Sequence, residues 1–179
     1  MIKKWKFINR DLLLDHPRMK IVEDSVELPT GKITSYIREA PASHSSVTII
    51  AINDKDEILI QSEYSYPPNE VMYQLPGGKM DIDEDILTAA NRELSEESGY
   101  IAKDCTILGS FYVNNRRSDA KQHVVMGRNI EAKNSQEDEE EFIESQWVSM
   151  DTIKEMVQTG KIVNMNMLAA LQLYCSFEK

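Results

Sequence analysis

Twenty-three residues, Gly78 to Tyr100, constrain this chain more than any others: GKMDIDEDILTAANRELSEESGY. An acidic turn leads into a run with helical apolar spacing at Ile86, Leu87, Ala90 and Leu94, and Gly99 supplies a stop. Asp83 and Asp85 stand where acid caps orphan N–H groups. The pattern predicts a helix over 84–98. At about 100° per residue, Glu93, Glu96 and Glu97 share one arc of about 100° next to the apolar arc. Like charges at this spacing destabilise a helix, by a few tenths of a kcal/mol each. A hard divalent cation, Mg²⁺ or Mn²⁺, would turn that repulsion into coordination. Arg92 can hold a neighbouring glutamate through paired N–H bonds. Three glutamates alone ordinarily mean a solvated face; the wider spacing decides between the two readings.

The chain has 179 residues and a net charge of −10, with acid clustered at 81–97 and 136–144. Such a charge disfavours nucleic acid as a partner. Apolar residues make up 41 % of the chain, enough for a sizeable core. No run approaches the roughly 18 apolar residues of a membrane span. The start, MIKKWKFINRD, lacks the apolar segment of a secretion signal. Two distant cysteines, Cys105 and Cys175, read as reduced thiols packed as small apolar groups. The expectation is a cytoplasmic protein with no membrane partner.

Residues 6–14 are rich in strand formers, and 19–39 read as a hairpin about the turn Pro29-Thr30-Gly31-Lys32. Ala40-Pro41-Ala42-Ser43 marks a boundary. Residues 1–43 are therefore expected to form a small β-rich section, and 44–179 the main domain. In the main domain 47–53 and 58–64 read as two strands of a hairpin joined by Asp54-Lys55-Asp56. Strands are expected at 72–75, 106–113, 121–130 and 143–149. Asp151 is expected to cap a helix that ends at Gly160, and 166–177 to form a last apolar helix. Trp147, Tyr112, Met165 and Met167 read as core, and His123 as a structural strand histidine. Interspersed strands and helices place the chain in the α/β (α+β) class with a mixed sheet.

Gly78, five residues, Glu84, seven residues, then Arg92-Glu93-Leu94-x-Glu96-Glu97-x-Gly99 is the pattern of the Nudix box. At roughly one in fifteen per residue, these eight fixed positions arise by chance about once in 10⁹ windows. The chain thus resembles a Nudix hydrolase. Gln61-Ser62-Glu63-Tyr64, Gln74-Leu75-Pro76-Gly77-Gly78 and Gln158-Thr159-Gly160-Lys161-Ile162 extend the resemblance to the ADP-ribose pyrophosphatase branch. Ser65 stands where that branch usually has Arg, Asn114-Asn115-Arg116-Arg117 where it often has Pro, and Gly77 where it usually has Ala. Tyr100 replaces the aliphatic residue that closes the box.

The resemblance implies a mixed sheet sandwiched between helices. It also implies divalent-metal-dependent hydrolysis of the diphosphate in ADP-ribose or a related nucleoside diphosphate sugar. Glu93, Glu96, Glu97 and the Gly77 carbonyl correspond to metal ligands, and Arg92 to a residue orienting a glutamate. Glu84, Gly78 and Gly99 correspond to structural positions of the box. The base that takes the proton of the attacking water is expected from a loop before a late strand, at Glu141, with Glu140 and Glu139 as neighbours. Arg38, Arg116 and Arg117 are candidates for substrate contacts, and the β-rich section for homodimer formation. Two other functions fit the box: cleavage of a nucleoside triphosphate or dinucleotide, and nucleotide sensing without catalysis. The β-rich section speaks against the first, and the complete glutamate set against the second.

Overall fold

The computed structural model describes residues 1–41, 45–133 and 142–177, with element order β1 (Lys6–His16), β2 (Met19–Glu27), β3 (Ile33–Glu39), β4 (Ser46–Ala51), β5 (Glu57–Ser65), β6 (Glu70–Gln74), α1 (Ile86–Ser98), β7 (Tyr100–Tyr112), β8 (Lys121–Ala132), β9 (Ile143–Ser149), α2 (Met150–Gln158) and α3 (Met165–Phe177). This is a mixed α+β architecture with three sheets. The chain divides into two compact units, 1–43 with 112–120, and 44–111 with 121–179. No helix among the described residues is long and apolar enough to cross a membrane.

The first unit is an antiparallel sheet in the order β1-β2-β3. Gly31, at φ +83°, closes the β2–β3 turn, where a side chain would be strained. Asp24 of β2 is buried and bonded to Arg10 at 2.6 and 2.9 Å and to Arg38 at 3.0 Å. The Arg10 hydrogen bonds, followed by that from Arg38, hold its carboxyl below the ordinary carboxylate range. The 114–119 turn joins this unit through β3: Glu39 N–H donates to the Arg117 carbonyl, and the Tyr36 hydroxyl donates to that of Arg116.

In the second unit, alternation along β4 and β5 divides the apolar side chains between two layers. Ile50, Ile52, Ile58 and Ile60 pack with Ile153 and Met156 of α2 and with Met167, Ala170 and Tyr174 of α3. Val47, Ile49, Ala51 and Leu59 pack with Ala89, Ala90 and Leu94 of α1. Helices thus cover both faces of the strands, and each fully buried Leu or Ile contributes about 1.5–3 kcal/mol.

The expected hairpin of β4 and β5 is corrected. An Ile52–Ile58 bridge and the bond from Asn53 N–H to the Glu57 carbonyl close the turn between them, but the two strands stand in different sheets. β4 runs parallel to β8 in the sheet β4-β8-β7, whereas β5 lies between β6 and β9. A local loop was legible, but the longer-range partners won. Ser149, not Asp151, caps α2. Met167 is core, but Met165 and Tyr112 are exposed, and Trp147 is half-buried edge-on against Tyr100. Cys175 is also exposed, and Cys105 half-buried. His123 is half-buried in β8, where desolvation and the nearby Lys121 charge push its pKa down.

Candidate metal centre

Residues 76–80 form a strip antiparallel to the start of β4. Ile49 N–H donates to the Pro76 carbonyl, Val47 N–H to the Gly78 carbonyl, and Met80 N–H to the Ser45 carbonyl. The carbonyls on either side of Gly77 are therefore spent on β4. Alternation turns the N–H and C=O of Gly77 to the opposite side. There the Gly77 N–H donates to Glu97 Oε2 at 3.0 Å. At Gly77 an added Cβ would lie 2.2 Å from the Val47 carbonyl oxygen, and φ is +151°. Glycine permits this close approach of two backbones.

α1 starts where Asp85 accepts from Leu87 N–H and Thr88 N–H, at 3.0 and 3.2 Å. It ends at Gly99, φ +70°, whose N–H returns to the Ser95 carbonyl. Asp83 lies in the preceding turn, at φ +62°, rather than at the cap. Between these ends Arg92 is a hub. Its Nε and Nη2 donate to the two oxygens of Glu84 at 2.9 and 3.0 Å. Nη1 reaches Glu96 at 2.9 Å and Glu93 at 3.0 Å. Nη2 also donates to the Lys79 carbonyl at 3.0 Å. Glu84 in turn accepts from Asp81 N–H at 2.9 Å. The Arg92 bonds, then that from Asp81, lower the Glu84 pKa. The bonds to Glu84, then the charge of Glu93 and the bond to Glu96, raise that of Arg92.

Glu93 is the buried member of the set, 8 % exposed, and Glu96 is exposed. The Glu93 carboxylate packs against Gly78, where an added Cβ would sit 2.6 Å from Oε2. Glu97 and Gly77 meet on the same side. The donors on offer, three carboxylates and a backbone carbonyl, are hard oxygens of the kind Mg²⁺ and Mn²⁺ bind. Among the described residues, no three acidic, His or Cys side chains yet stand as a closed cage. Arg92 holds Glu93 and Glu96, and Gly77 N–H holds Glu97. The set thus fits a divalent cation chemically, with carboxylates that would exchange protein partners for metal.

The expected base residues, Glu139, Glu140 and Glu141, lie outside the described residues. In the first unit, Arg38 is committed to Asp24, to the Glu39 carbonyl at 2.9 Å and to Asp119 at 3.7 Å. Arg117 donates to the Ile37 carbonyl at 2.7 Å. Arg116 is exposed. Asn91 drew no attention in the sequence, yet it bonds α1 to β7. An amide amid helix formers, at a cost in helix propensity, is the signal that could have found it.

A family model for the NUDIX domain matches residues 42–170. The chain belongs to the Nudix family, and it is a pyrophosphohydrolase similar to ADP-ribose pyrophosphatases. It is 26 % identical over 169 residues to the ADP-ribose pyrophosphatase of Bacillus subtilis (strain 168), covering 93 % of this chain and 90 % of that protein. It is 30 % identical over 116 residues to the ADP compounds hydrolase NudE of Escherichia coli (strain K12), covering 65 % of this chain and 62 % of that one. A crystal structure of an ADP compounds hydrolase shares the fold, with a TM-score of 0.91 at 21 % identity over 99 % of this chain and 95 % of the other.

Proposed function

We propose that the protein hydrolyses the diphosphate linkage of ADP-ribose or a related nucleoside diphosphate sugar, with Mg²⁺ or Mn²⁺ held by Glu93, Glu96, Glu97 and the Gly77 carbonyl. The observation that carries this reading is the seating of Glu93 on Gly78 and of Glu97 on Gly77 N–H. Both acids are thereby set beside one backbone strip. The cation, when bound, supplies Lewis-acid charge for the diphosphate oxygens and acidifies a water. The protein's own work is to hold the acids, with Arg92 as their positive partner, and to accept a proton. Water adds to one phosphorus, the bond to the bridging oxygen breaks, and the products are a nucleoside monophosphate and a sugar phosphate. The proton goes to a carboxylate among residues 139–141, for which Glu141 is the choice. Arg38, Arg116 and Arg117 are proposed substrate contacts by resemblance. Arg116 and Arg117 are both exposed, while Arg117 also donates to the Ile37 carbonyl and Arg38 is bonded to Asp24, so Arg116 is the best supported of the three.

The test is product release from ADP-ribose, other nucleotide sugars, NADH and nucleoside triphosphates with Mg²⁺. Nucleotide sugars should be turned over fastest; preference for a triphosphate, or tight binding with no turnover, would reject the reading. In the same assay Glu141→Gln should slow turnover more than Glu137→Gln, and equal effects would reject Glu141 as base. A cytoplasmic homodimer built on the β-rich section completes the proposal. Its support is a sheet edge carrying Phe7, Leu12, Leu13 and Leu14, all exposed in the single chain, since exposed apolar surface marks interaction sites. Sedimentation equilibrium should give twice the chain mass; a monomer at micromolar concentration would reject the dimer.

A further inference from the structure

α1 carries every side chain proposed to bind the cation, so its position along its own axis sets where those oxygens stand. On the ligand side the helix is tied to the preceding strip and turn by Glu97, and by Arg92 through Glu84 and the Lys79 carbonyl. Glu97 is tied to Gly77 N–H, and Glu93 and Glu96 are tied to Arg92. A cation that takes these carboxylates weakens those ties as it binds. A separate polar tie of the helix, to β7, makes no use of a ligand.

Asn91 Nδ2 donates to the Ala102 carbonyl at 3.0 Å, and Asn91 Oδ1 accepts from Ala102 N–H at 2.8 Å. The side-chain amide pairs with one residue of β7 as a neighbouring strand would. Only a carboxamide offers a donor and an acceptor side by side for both groups of one peptide residue. The anchor point is rigid. Ala102 is 4 % exposed, and β8 approaches so closely that a Cβ on Gly127 would lie 2.7 Å from the Ala102 Cβ. Asn91 Nδ2 also lies 3.5 Å from Cys105 Sγ. Asn91 directly precedes Arg92 and Glu93, so the clamp acts within one turn of Glu93 and within two turns of Glu96 and Glu97.

We infer that Asn91 is a positioning residue for the metal centre. It holds α1 in register on β7 while the glutamates change partners, so that metal binding need not also re-place the helix. The inference rests on the metal-dependent reading proposed above. Asn91→Leu keeps the number and branching of side-chain heavy atoms, in a bulkier form, and removes both bonds. Asn91→Asp keeps the acceptor and sets a carboxylate against the Ala102 carbonyl.

The experiment is Mn²⁺ binding to the full chain without substrate, followed by the free-Mn²⁺ electron paramagnetic resonance signal, with melting in EDTA and kcat at saturating Mn²⁺ measured in parallel. Both variants should melt earlier, bind Mn²⁺ at least tenfold more weakly and keep kcat within about threefold at saturation, a pattern in which register and not chemistry is lost. Asn91→Ser, which retains one hydrogen-bonding group, carries the test if the larger changes prevent folding, and it should fall between them and the wild type. Lower melting with unchanged Mn²⁺ affinity would make Asn91 a stability residue only and overturn the inference alone. Absence of Mn²⁺ binding to the wild type would overturn the metal reading beneath it, and the inference with it.

Discussion

Glu97→Gln should lower kcat by roughly 10³-fold, about 4 kcal/mol of transition-state stabilisation, with little change in melting temperature. The two halves of that expectation come from different atoms. In the fold, Glu97 is an acceptor for Gly77 N–H at 3.0 Å, and a glutamine oxygen accepts the same bond. Losing the charge assistance costs about 1 kcal/mol or less. Toward a cation the substitution is severe. A neutral amide replaces a carboxylate in the set proposed to hold Mg²⁺ or Mn²⁺ against a polyanionic substrate. Nor can the rest of the set compensate simply: Glu93 and Glu96 both lean on Arg92. Steady-state kinetics with Mg²⁺ titration, beside thermal melting, measures both halves. Turnover near the wild-type value would sink the metal assignment, whatever the stability.

The parts of this structure legible in the sequence were those set by local rules. The α1 cap, its stop at Gly99 and the β2–β3 turn follow from residues in the elements themselves. The box was legible because it sets particular residue types at particular helical spacings. What stayed hidden depends on partners far along the chain. β4 and β5 alternate as hairpin strands should, yet β4 pairs with β8, about seventy-five residues on. The 112–120 segment sits with the first unit because Arg117 and β3 share backbone bonds, and nothing in its composition announces that. Arg38 is one of two arginines on a buried Asp24, a pairing set by strand neighbours and not by its own stretch of sequence. Asn91 stayed invisible for the same reason, since its partner Ala102 has no side-chain chemistry to recognise.

Gly78→Ala should cut kcat/KM by about a hundredfold while changing stability by less than about 1 kcal/mol, because the new methyl meets a ligand and not the scaffold. Its Cβ would stand 2.6 Å from Oε2 of Glu93 and 2.8 Å from Oε1. These are the ends of a long side chain, so rotation relieves the clash cheaply. Gly78 does not need a left-handed backbone, so alanine adds no conformational strain there. The relief is costly only for chemistry. Glu93 is buried, and rotation takes its carboxylate off both Gly78 and Arg92. A misplacement of about 1 Å in a reacting array is worth about 10²-fold. The neighbouring position supplies the contrast. A methyl on Gly77 would meet the Val47 carbonyl oxygen at 2.2 Å, and φ there is +151°. Backbone cannot rotate aside, so Gly77→Ala should lower the melting temperature as well as the activity. Two adjacent glycines thus separate ligand placement from scaffold integrity. Melting curves and kcat/KM for the pair decide it: full activity in Gly78→Ala, or a loss matched by equal destabilisation, would reject Glu93 as the acid that Gly78 seats.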